Sequence, residues 1–293
     1  MPVPAHHIVA TPPPFDAPPY PADIFAGQTV LVTGGGSGMG LAMAKAFAQG
    51  GAQVAVMGRS LERAEEGAAQ IAALGVKTHA MSCDVRLPEA VAAAFDEAER
   101  ALGPVSLLAN NAGANFPVLA ENISPNAWNA VTRIAIDGTF LCSSEFVRRR
   151  IALGQGGAIV NNSAQYIWTG FPGDAHSAAA KTAQATMTRN LAADWAPHGI
   201  RVNAVAAGFF PHEGSVSGRA DEGIEPLQAM IPAGRTGSIW EFGWLSAMTC
   251  TPLFGTMTGQ VIVKDGGESL RRSLIMPDFI PPRERADGPW GWR

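Results

Sequence analysis

Short apolar runs alternate with longer stretches of helical periodicity along most of this 293-residue chain. The apolar runs have the length and composition of buried strands, and they lie at 29–33, 53–57, 76–81, 105–110, 157–163, 201–206 and 259–265. The helical stretches between them lie at 38–49, 60–73, 87–102, 125–152, 174–195 and 238–249. Such alternation predicts an α/β fold, a doubly wound parallel sheet of seven strands with helices on both faces.

The two ends of the chain break this pattern. Residues 1–24 include "TPPPFDAPPYP", which is too rich in proline for a helix or a central strand and predicts an extended arm. Residues 25–270 form a single predicted domain, and residues 271–293 an irregular tail whose tryptophans we expect to pack on a neighbouring surface. Within the domain, residues 207–236 have no clear period, and their Gly, Pro and Phe content predicts a mobile flap over a site.

Composition narrows the class of protein further. A hydrophobic content of 47% with only 16% charged residues describes a globular chain, and a net charge of −4 without a basic run argues against nucleic acid as a partner. We expect neither a signal peptide, because no cation precedes Lys45, nor a membrane span, because no apolar run is long enough. Cys83, Cys142 and Cys250 have no metal-ligand or redox spacing, so we expect no metal site and a reducing, cytoplasmic location.

A glycine-rich turn, "VTGGGSGMG" at 32–40, follows the first predicted strand and begins the first helix. Gly34, Gly38 and Gly40 allow a tight turn and a close approach of the backbone to a pyrophosphate, whose charge a helix N-terminus stabilises. The spacing differs from the usual dinucleotide fingerprint, and an ordinary strand–helix turn is the alternative. The position between a strand and a helix favours a dinucleotide site.

The end of the second strand indicates which dinucleotide is bound. An acidic residue there would accept a hydrogen bond from the adenosine 2′-hydroxyl of NAD. This chain has Gly58 and Arg59 instead, with Arg63 one helical turn further on. A cation at this corner favours the 2′-phosphate of NADP(H), although a solvated arginine at a helix start would look the same.

An ordered set of motifs resembles the short-chain dehydrogenase/reductase family over roughly residues 25–270: Thr33–Gly40, "CDV" 83–85, "NNAG" 110–113, Lys181 and "DGG" 265–267. The resemblance implies a single Rossmann-like domain and a homotetramer that pairs through the helices near 125–152 and 174–195. It also implies a set of NADP(H)-binding residues. They are Gly34, Gly36, Ser37, Gly38, Met39, Gly40, Arg59, Ser60, Asp84, Val85, Asn111, Ala112, Gly113, Lys181, Gly208 and Phe209.

The catalytic positions depart from the family pattern. Common members reduce carbonyls with an Asn, Ser, Tyr and Lys set, in which the Tyr lies four residues before the Lys. Here the matching positions hold Ala135, Ala164, Ser177 and Lys181, so only the lysine remains. A serine hydroxyl is far less acidic than a phenol, and simple alcohol–ketone chemistry is therefore disfavoured.

One branch of the family, the NADPH-dependent 2,4-dienoyl-CoA reductases, is similar in these departures. Its mitochondrial-type members have Ser-x-x-x-Lys, a displaced Tyr earlier in the loop after the fifth strand, and an Asn just past the NNA-type motif. Tyr166, which precedes Ser177 by 11 residues, and Asn115 match these positions, and "SPNAW" 124–128 and "DGGESL" 265–270 also resemble the branch. The resemblance implies Tyr166, Lys181, Asn115 and Ser177 as catalytic residues. Tyr166 packing on Trp168 as an ordinary loop residue is the alternative.

Three functions remain open from the sequence. The first is reduction of a conjugated enoyl or dienoyl thioester, the second reduction of a carbonyl, imine or non-CoA enone, and the third cofactor binding without turnover. Basic candidates for the phosphates of an acyl-CoA are Arg148–Arg150 and Arg219, but adjacent arginines on a helix usually form a solvated face. His176 is expected to pack rather than to transfer protons, and a water-relay role for Asp137 is the less favoured hypothesis.

Overall fold

The computed structural model describes residues 11–212, 228 and 231–270. Its strands in these ranges are β1 Thr29–Thr33, β2 Gln53–Gly58, β3 Thr78–Ser82, β4 Val105–Asn110, β5 Gly157–Ala164, β6 Ile200–Ala207 and β7 Val261–Lys264. They form one sheet in the order β3-β2-β1-β4-β5-β6-β7, and every neighbouring pair is parallel. The predicted doubly wound α/β fold is confirmed.

The α-helices of the described part cover the two faces of the sheet: α1 Gly38–Gln49, α2 Leu61–Ala72, α3 Pro88–Leu102, α4 Pro125–Thr132, α5 Gly138–Ala152, α6 Ala175–Trp195 and α7 Ile239–Cys250. Successive side chains of β1 point to opposite faces of the sheet. Val30 and Val32 pack with α1, α2 and α7 on one face, and Leu31 packs with α3, α5 and α6 on the other. All five residues of β1 are buried. Apolar runs without polar alternation are therefore the expected pattern for this sheet.

The helix predicted over 125–152 is divided in the structure. A five-residue π-helical turn, Arg133–Asp137, separates α4 from α5. Gly138 directly after it packs against Val85, where an added Cβ would lie 2.6 Å from Val85 Cγ2. A π turn inserts one residue without ending the run of apolar positions, so the hydrophobic period did not reveal it.

The proline-rich arm is attached to the domain from residue 11 onward. The Tyr20 hydroxyl donates to the carbonyl of Ala46 in α1 at 2.8 Å, and Trp240 Nε1 in α7 donates to the Pro13 carbonyl at 3.1 Å. Phe25 is fully buried against Phe47, with ring centroids 5.2 Å apart. The described part of the arm therefore packs on α1 and α7.

Two segments whose structure the sequence predicted, the flap and the C-terminal tail, are not fully described. The C-terminal tail 271–293, with Trp290 and Trp292, and the flap residues 213–227, 229 and 230 lie outside the described residues. Within the described ranges, the helices are too short or too polar for a bilayer crossing.

Candidate active site

A large cavity lies at the carboxyl ends of the strands, where the strand order reverses between β1 and β4. Its volume is about 860 Å³. All the residues predicted from the sequence to bind cofactor or to act in catalysis line this one cavity. Residues that the sequence did not single out, among them Asn162 and Phe210, line it as well.

The glycine-rich turn forms one wall and is packed too closely for side chains. Gly34 and Gly38 have φ values of +63° and +52°, which favour glycine. A Cβ on Gly40 would lie 2.1 Å from the Gly34 carbonyl oxygen, and one on Gly36 would lie 2.4 Å from the Arg63 carbonyl oxygen. The backbone is therefore open toward the cavity at the N-terminus of α1, which fits the pyrophosphate of a dinucleotide.

Side-chain hydrogen bonds from Asn111 and Thr33 hold this turn in place. Asn111 Nδ2 donates to the carbonyl oxygens of Thr33 and Gly34 at 3.1 and 3.2 Å. Thr33 Oγ1 accepts from the backbone N–H groups of Asn111 and Ala112 at 2.9 and 2.8 Å. Both the side chain and the backbone N–H of Asn111 are thus used to hold the turn in place.

The corner at the end of β2 carries two arginines. Arg59 and Arg63 both line the cavity, and Ser60 between them caps α2 by accepting from the Arg63 backbone N–H at 3.3 Å. Asp84 lines the same cavity, and a bidentate contact with Arg86, together with the nearby charge of Arg59, lowers the pKa of its carboxyl to about 2. Two cations at this corner can bind an anion such as a phosphate.

The Tyr166 phenol and the Ser177 hydroxyl come together beside the cavity. Tyr166 lies on a single 3-10 turn, Gln165–Ile167, directly after β5, and Ser177 lies in the first turn of α6. The Tyr166 hydroxyl and Ser177 Oγ are 2.8 Å apart. Burial raises the pKa of Tyr166 to about 12, so the phenol keeps its proton at neutral pH.

Lys181 lies one turn beyond Ser177 on the same face of α6. Its Nζ donates to the Asn162 carbonyl oxygen at 2.5 Å, and burial lowers the pKa of the amine to about 8. Asn162 Nδ2 in turn donates to Asn111 Oδ1 at 2.8 Å. The sequence signal for Asn162 was a pair of asparagines inside an otherwise apolar strand.

Asn115, in the loop after β4, lines the cavity, and so does Ala164 at the end of β5, which has no polar side-chain group. Ala135 is buried in the π turn and is not part of the cavity wall. Asp137 also lies off the wall, where it pairs with Arg133 at 3.4 Å. His176 is fully buried and packs edge-on against Phe116.

The arginines that the sequence offers for the phosphates of an acyl-CoA either bind other residues or lie outside the described residues. Arg149 binds Asp96, Glu99 and Glu145 and thereby joins α3 to α5. Arg150 donates to the Gly156 carbonyl oxygen at 2.8 Å, and Arg219 lies outside the described residues.

The fold and the glycine-rich turn at its switch point define a dinucleotide-binding protein. A family model described as "Enoyl-(Acyl carrier protein) reductase" matches residues 34–269. A Bacillus subtilis protein named a probable (2E)-enoyl-CoA-producing 2,4-dienoyl-CoA reductase is 39% identical over 250 residues, which are 83% of this chain and 97% of the relative. A Danio rerio protein named a peroxisomal (3E)-enoyl-CoA-producing 2,4-dienoyl-CoA reductase is 34% identical over 253 residues, 85% of this chain and 83% of the relative.

Solved structures agree with these relatives. The crystal structure of a short-chain dehydrogenase from Bacillus anthracis has a TM-score of 0.76 and 35% identity, and the match covers 84% of this chain and 98% of that one. A short-chain type dehydrogenase/reductase from Mycobacterium marinum has a TM-score of 0.78 and 30% identity, with 83% and 96% covered. The chain belongs to the short-chain dehydrogenase/reductase family and resembles its 2,4-dienoyl-CoA reductases. It is therefore an oxidoreductase with a nicotinamide cofactor.

Gly40→Ala tests the fit of the glycine-rich turn to the cofactor. The new methyl group would lie 2.1 Å from the Gly34 carbonyl oxygen and 2.4 Å from Asn111 Nδ2, so the turn must shift. We expect the Kd for the nicotinamide cofactor, measured by fluorescence titration with NADPH and with NADH, to rise by about 10-fold or more for the one that the parent binds more tightly. Gly255→Ala is the matched control, since that glycine lies outside the cavity and its added Cβ would come no closer than 3.3 Å to the Pro252 oxygen. Equal Kd values for Gly40→Ala and the parent would contradict this role of the turn.

Proposed function

We propose that this protein is an NADPH-dependent reductase of a conjugated enoyl or dienoyl thioester. The contact of the Tyr166 hydroxyl with Ser177 Oγ at 2.8 Å is the observation that carries the proposal. This contact places the protonated phenol of Tyr166, which comes from the segment after β5, beside the face of α6 that carries Ser177 and Lys181. The names of the relatives and of the family model support the thioester class.

This chemistry needs hydrogen-bond donors rather than an acid at a carbonyl carbon. NADPH, when bound, supplies a hydride to a carbon at the far end of the conjugated system. Negative charge then develops on the thioester oxygen, and the final proton goes to carbon. The Tyr166 hydroxyl and the Asn115 amide are the donors for that oxygen, and one such donor is typically worth about 2.7–4 kcal/mol of barrier.

Ser177 and Lys181 support these donors. With its pKa near 12, Tyr166 is a donor, and Ser177 Oγ can donate to the phenol oxygen while the phenol proton points to the substrate. Lys181 would hold the nicotinamide ribose and contribute positive charge near the developing anion. Its anchor on the Asn162 carbonyl oxygen fixes the direction of the amine.

Exposed apolar side chains close to the proposed catalytic residues support an apolar acyl group as part of the substrate. Phe116, Trp168 and Phe171 are large apolar side chains that remain exposed near the catalytic residues. The Phe171 ring also lies 5.9 Å from that of Tyr166, centroid to centroid. A flat conjugated chain can bury this surface, which gives the substrate's apolar part a favourable place to bind.

Arg59→Asp tests the preference for NADPH. A carboxylate at this corner repels a 2′-phosphate and accepts from a 2′-hydroxyl, so we expect NADPH affinity to fall by about 10-fold or more and NADH to become the tighter ligand. Titration of both cofactors measures the order. Arg148→Asp is the control, because Arg148 is exposed on α5 and its partner is Glu145. Equal affinities of the parent for NADPH and NADH would refute the NADP(H) assignment.

We further propose a homotetramer with two-fold axes in a reducing, cytoplasmic compartment. The three cysteines are free and buried, as expected under reducing conditions. Trp128 of α4 and Phe140 of α5 are 41% and 48% exposed in the single chain, which leaves apolar surface for a partner. Light scattering at micromolar concentration should give the mass of four chains, and a monomer mass would overturn the assembly.

Tyr166→Phe tests the proposed oxyanion donor. The ring and its packing remain, but the donor for the thioester oxygen is lost. We expect hydride transfer in single-turnover experiments to slow by about 10²–10³-fold, with little change in the Kd for NADPH. Ser177→Ala is expected to cost less, because its hydroxyl only supports the phenol.

The two variants also separate the alternative functions. A carbonyl reductase in which Ser177 has taken over the acid role predicts the reverse order of losses. Tyr166 as a mere packing residue predicts turnover by Tyr166→Phe within a few-fold of the parent, which would end the proposed mechanism. No turnover of thioesters, ketones or imines by the parent would leave only the cofactor-binding function.

A further inference from the structure

A second cavity, with a volume of about 450 Å³, lies next to the cavity of the candidate active site, which is called the cofactor cavity below. The two cavities share the turn residues Gly36, Ser37 and Gly38. Most of the other residues that line the second cavity come from the proline-rich arm and from α1, α2 and α7, and none of the proposed catalytic residues is among its described lining. Its volume is within the range of small-molecule sites, so this space is a candidate site for a ligand other than the cofactor.

Part of the lining of the second cavity is apolar and comes from the arm and from α7. Phe15 of the arm and Ile239 and Trp240 of α7 line it. Gln49 Nε2 donates to the Phe15 carbonyl oxygen at 2.6 Å, and Trp240 Nε1 donates to the Pro13 carbonyl oxygen at 3.1 Å. These hydrogen bonds hold both aromatic residues in place. Because the arm lies before the segment that matches the family model, this apolar lining is not a feature of that model.

The second cavity also has two cationic side chains. Lys45 of α1 and Arg63 of α2 line it, and in the described part of the chain neither forms an ion pair with a carboxylate. Lys45 Nζ donates to Gln70 Oε1 at 2.9 Å, which leaves two of its three N–H groups for a ligand. Glu66 is the one carboxylate in the described lining, which therefore carries a net positive charge and favours an anion.

We propose that the second cavity binds an amphipathic carboxylate, with its apolar body against Phe15 and Trp240 and its carboxylate at Lys45 and Arg63. An ammonium and a guanidinium bind a carboxylate through charge-assisted hydrogen bonds, which are stronger than those between neutral groups. Burial of an aliphatic or aromatic body against the apolar lining adds a favourable free energy in proportion to the area removed from water. This site does not depend on the proposed reaction.

Occupation of the second cavity weakens the binding of NADPH in this account. Arg63 lines both cavities, so a carboxylate at Arg63 competes with the 2′-phosphate and repels it. Because coupling between two binding sites is reciprocal, NADPH weakens the carboxylate by the same factor. NADH has no 2′-phosphate and should have a smaller effect. This coupling rests on the proposed preference for NADP(H).

Isothermal titration calorimetry of the full-length protein with octanoate and with 4-phenylbutyrate tests the site. We expect binding in the absence of cofactor, and the two probes show whether an aliphatic or an aromatic body is preferred. Lys45→Gln should raise the Kd of the tighter probe by about 10-fold or more, because a charge-assisted hydrogen bond is lost. Lys77→Gln is the matched control, since this exposed lysine lies outside both cavities, and its Kd should stay within about two-fold of the parent value.

Further variants separate the apolar contact and the charge from an effect on folding. Phe15→Ala should raise the Kd of the probe by about 10-fold, because apolar contact area is lost. Phe254→Ala removes an exposed ring outside both cavities and should leave the Kd unchanged. Lys45→Arg keeps the charge and should bind within a few-fold of the parent. If Lys45→Gln does not fold, Lys45→Met, which keeps the alkyl chain, replaces it.

The outcomes distinguish the site, its coupling to the cofactor and the proposed function. No binding of either probe up to about 1 mM, or equal Kd values for the parent and the uncharged Lys45 variant, would overturn the site. Saturating NADPH should raise the Kd of the probe by about 10-fold, and saturating NADH by less than about two-fold. Equal Kd values with the two cofactors would overturn the coupling while the site stands. Failure of the parent to reduce a conjugated thioester would contradict the proposed function and leave the carboxylate site unaffected.

Discussion

The site depends on the hydrogen bonds of the Asn111 carboxamide, because they connect the two halves of the sheet. Its Nδ2 holds the glycine-rich turn after β1, and its Oδ1 accepts from Asn162 at the end of β5. The Asn162 carbonyl oxygen then accepts from Lys181. A single continuous chain of hydrogen bonds therefore runs from the glycine-rich turn to Lys181 of α6. Such buried networks are rigid when all their members are paired, so the turn and the lysine keep a fixed relation.

This fixed frame explains how the usual tyrosine can be absent from α6. Lys181 is held by the backbone of β5, so its place does not require a phenol four residues earlier. The loop after β5 supplies the phenol instead, and Ser177 receives it at hydrogen-bond distance. In the proposed function, this pairing of Tyr166 with Ser177 serves a substrate whose reacting carbon lies further from the carbonyl. The same arrangement would serve a ketone poorly, since the alkoxide formed there needs a proton from a more acidic group.

The sequence predicted those features that depend on local pattern. The strands, the helices of the cofactor half, and the gathering of motif residues at one sheet edge all follow from hydrophobic runs and from the glycine spacing. The π turn at Arg133–Asp137 did not, because it changes the register by one residue inside an apolar helix. The packing of the proline-rich arm depends on contacts between distant residues, Tyr20 with α1 and Pro13 with Trp240, which no local pattern reveals.

The central claim is that hydride is delivered to a conjugated carbon and not to the carbonyl carbon. NADPH that carries deuterium at the transferred position tests it directly when the product of a 2,4-dienoyl thioester is examined by mass spectrometry and NMR. The account predicts one deuterium on the carbon at the far end of the former diene, with the thioester intact. Deuterium on the carbonyl carbon, with loss of the thioester to an aldehyde or alcohol, would contradict it.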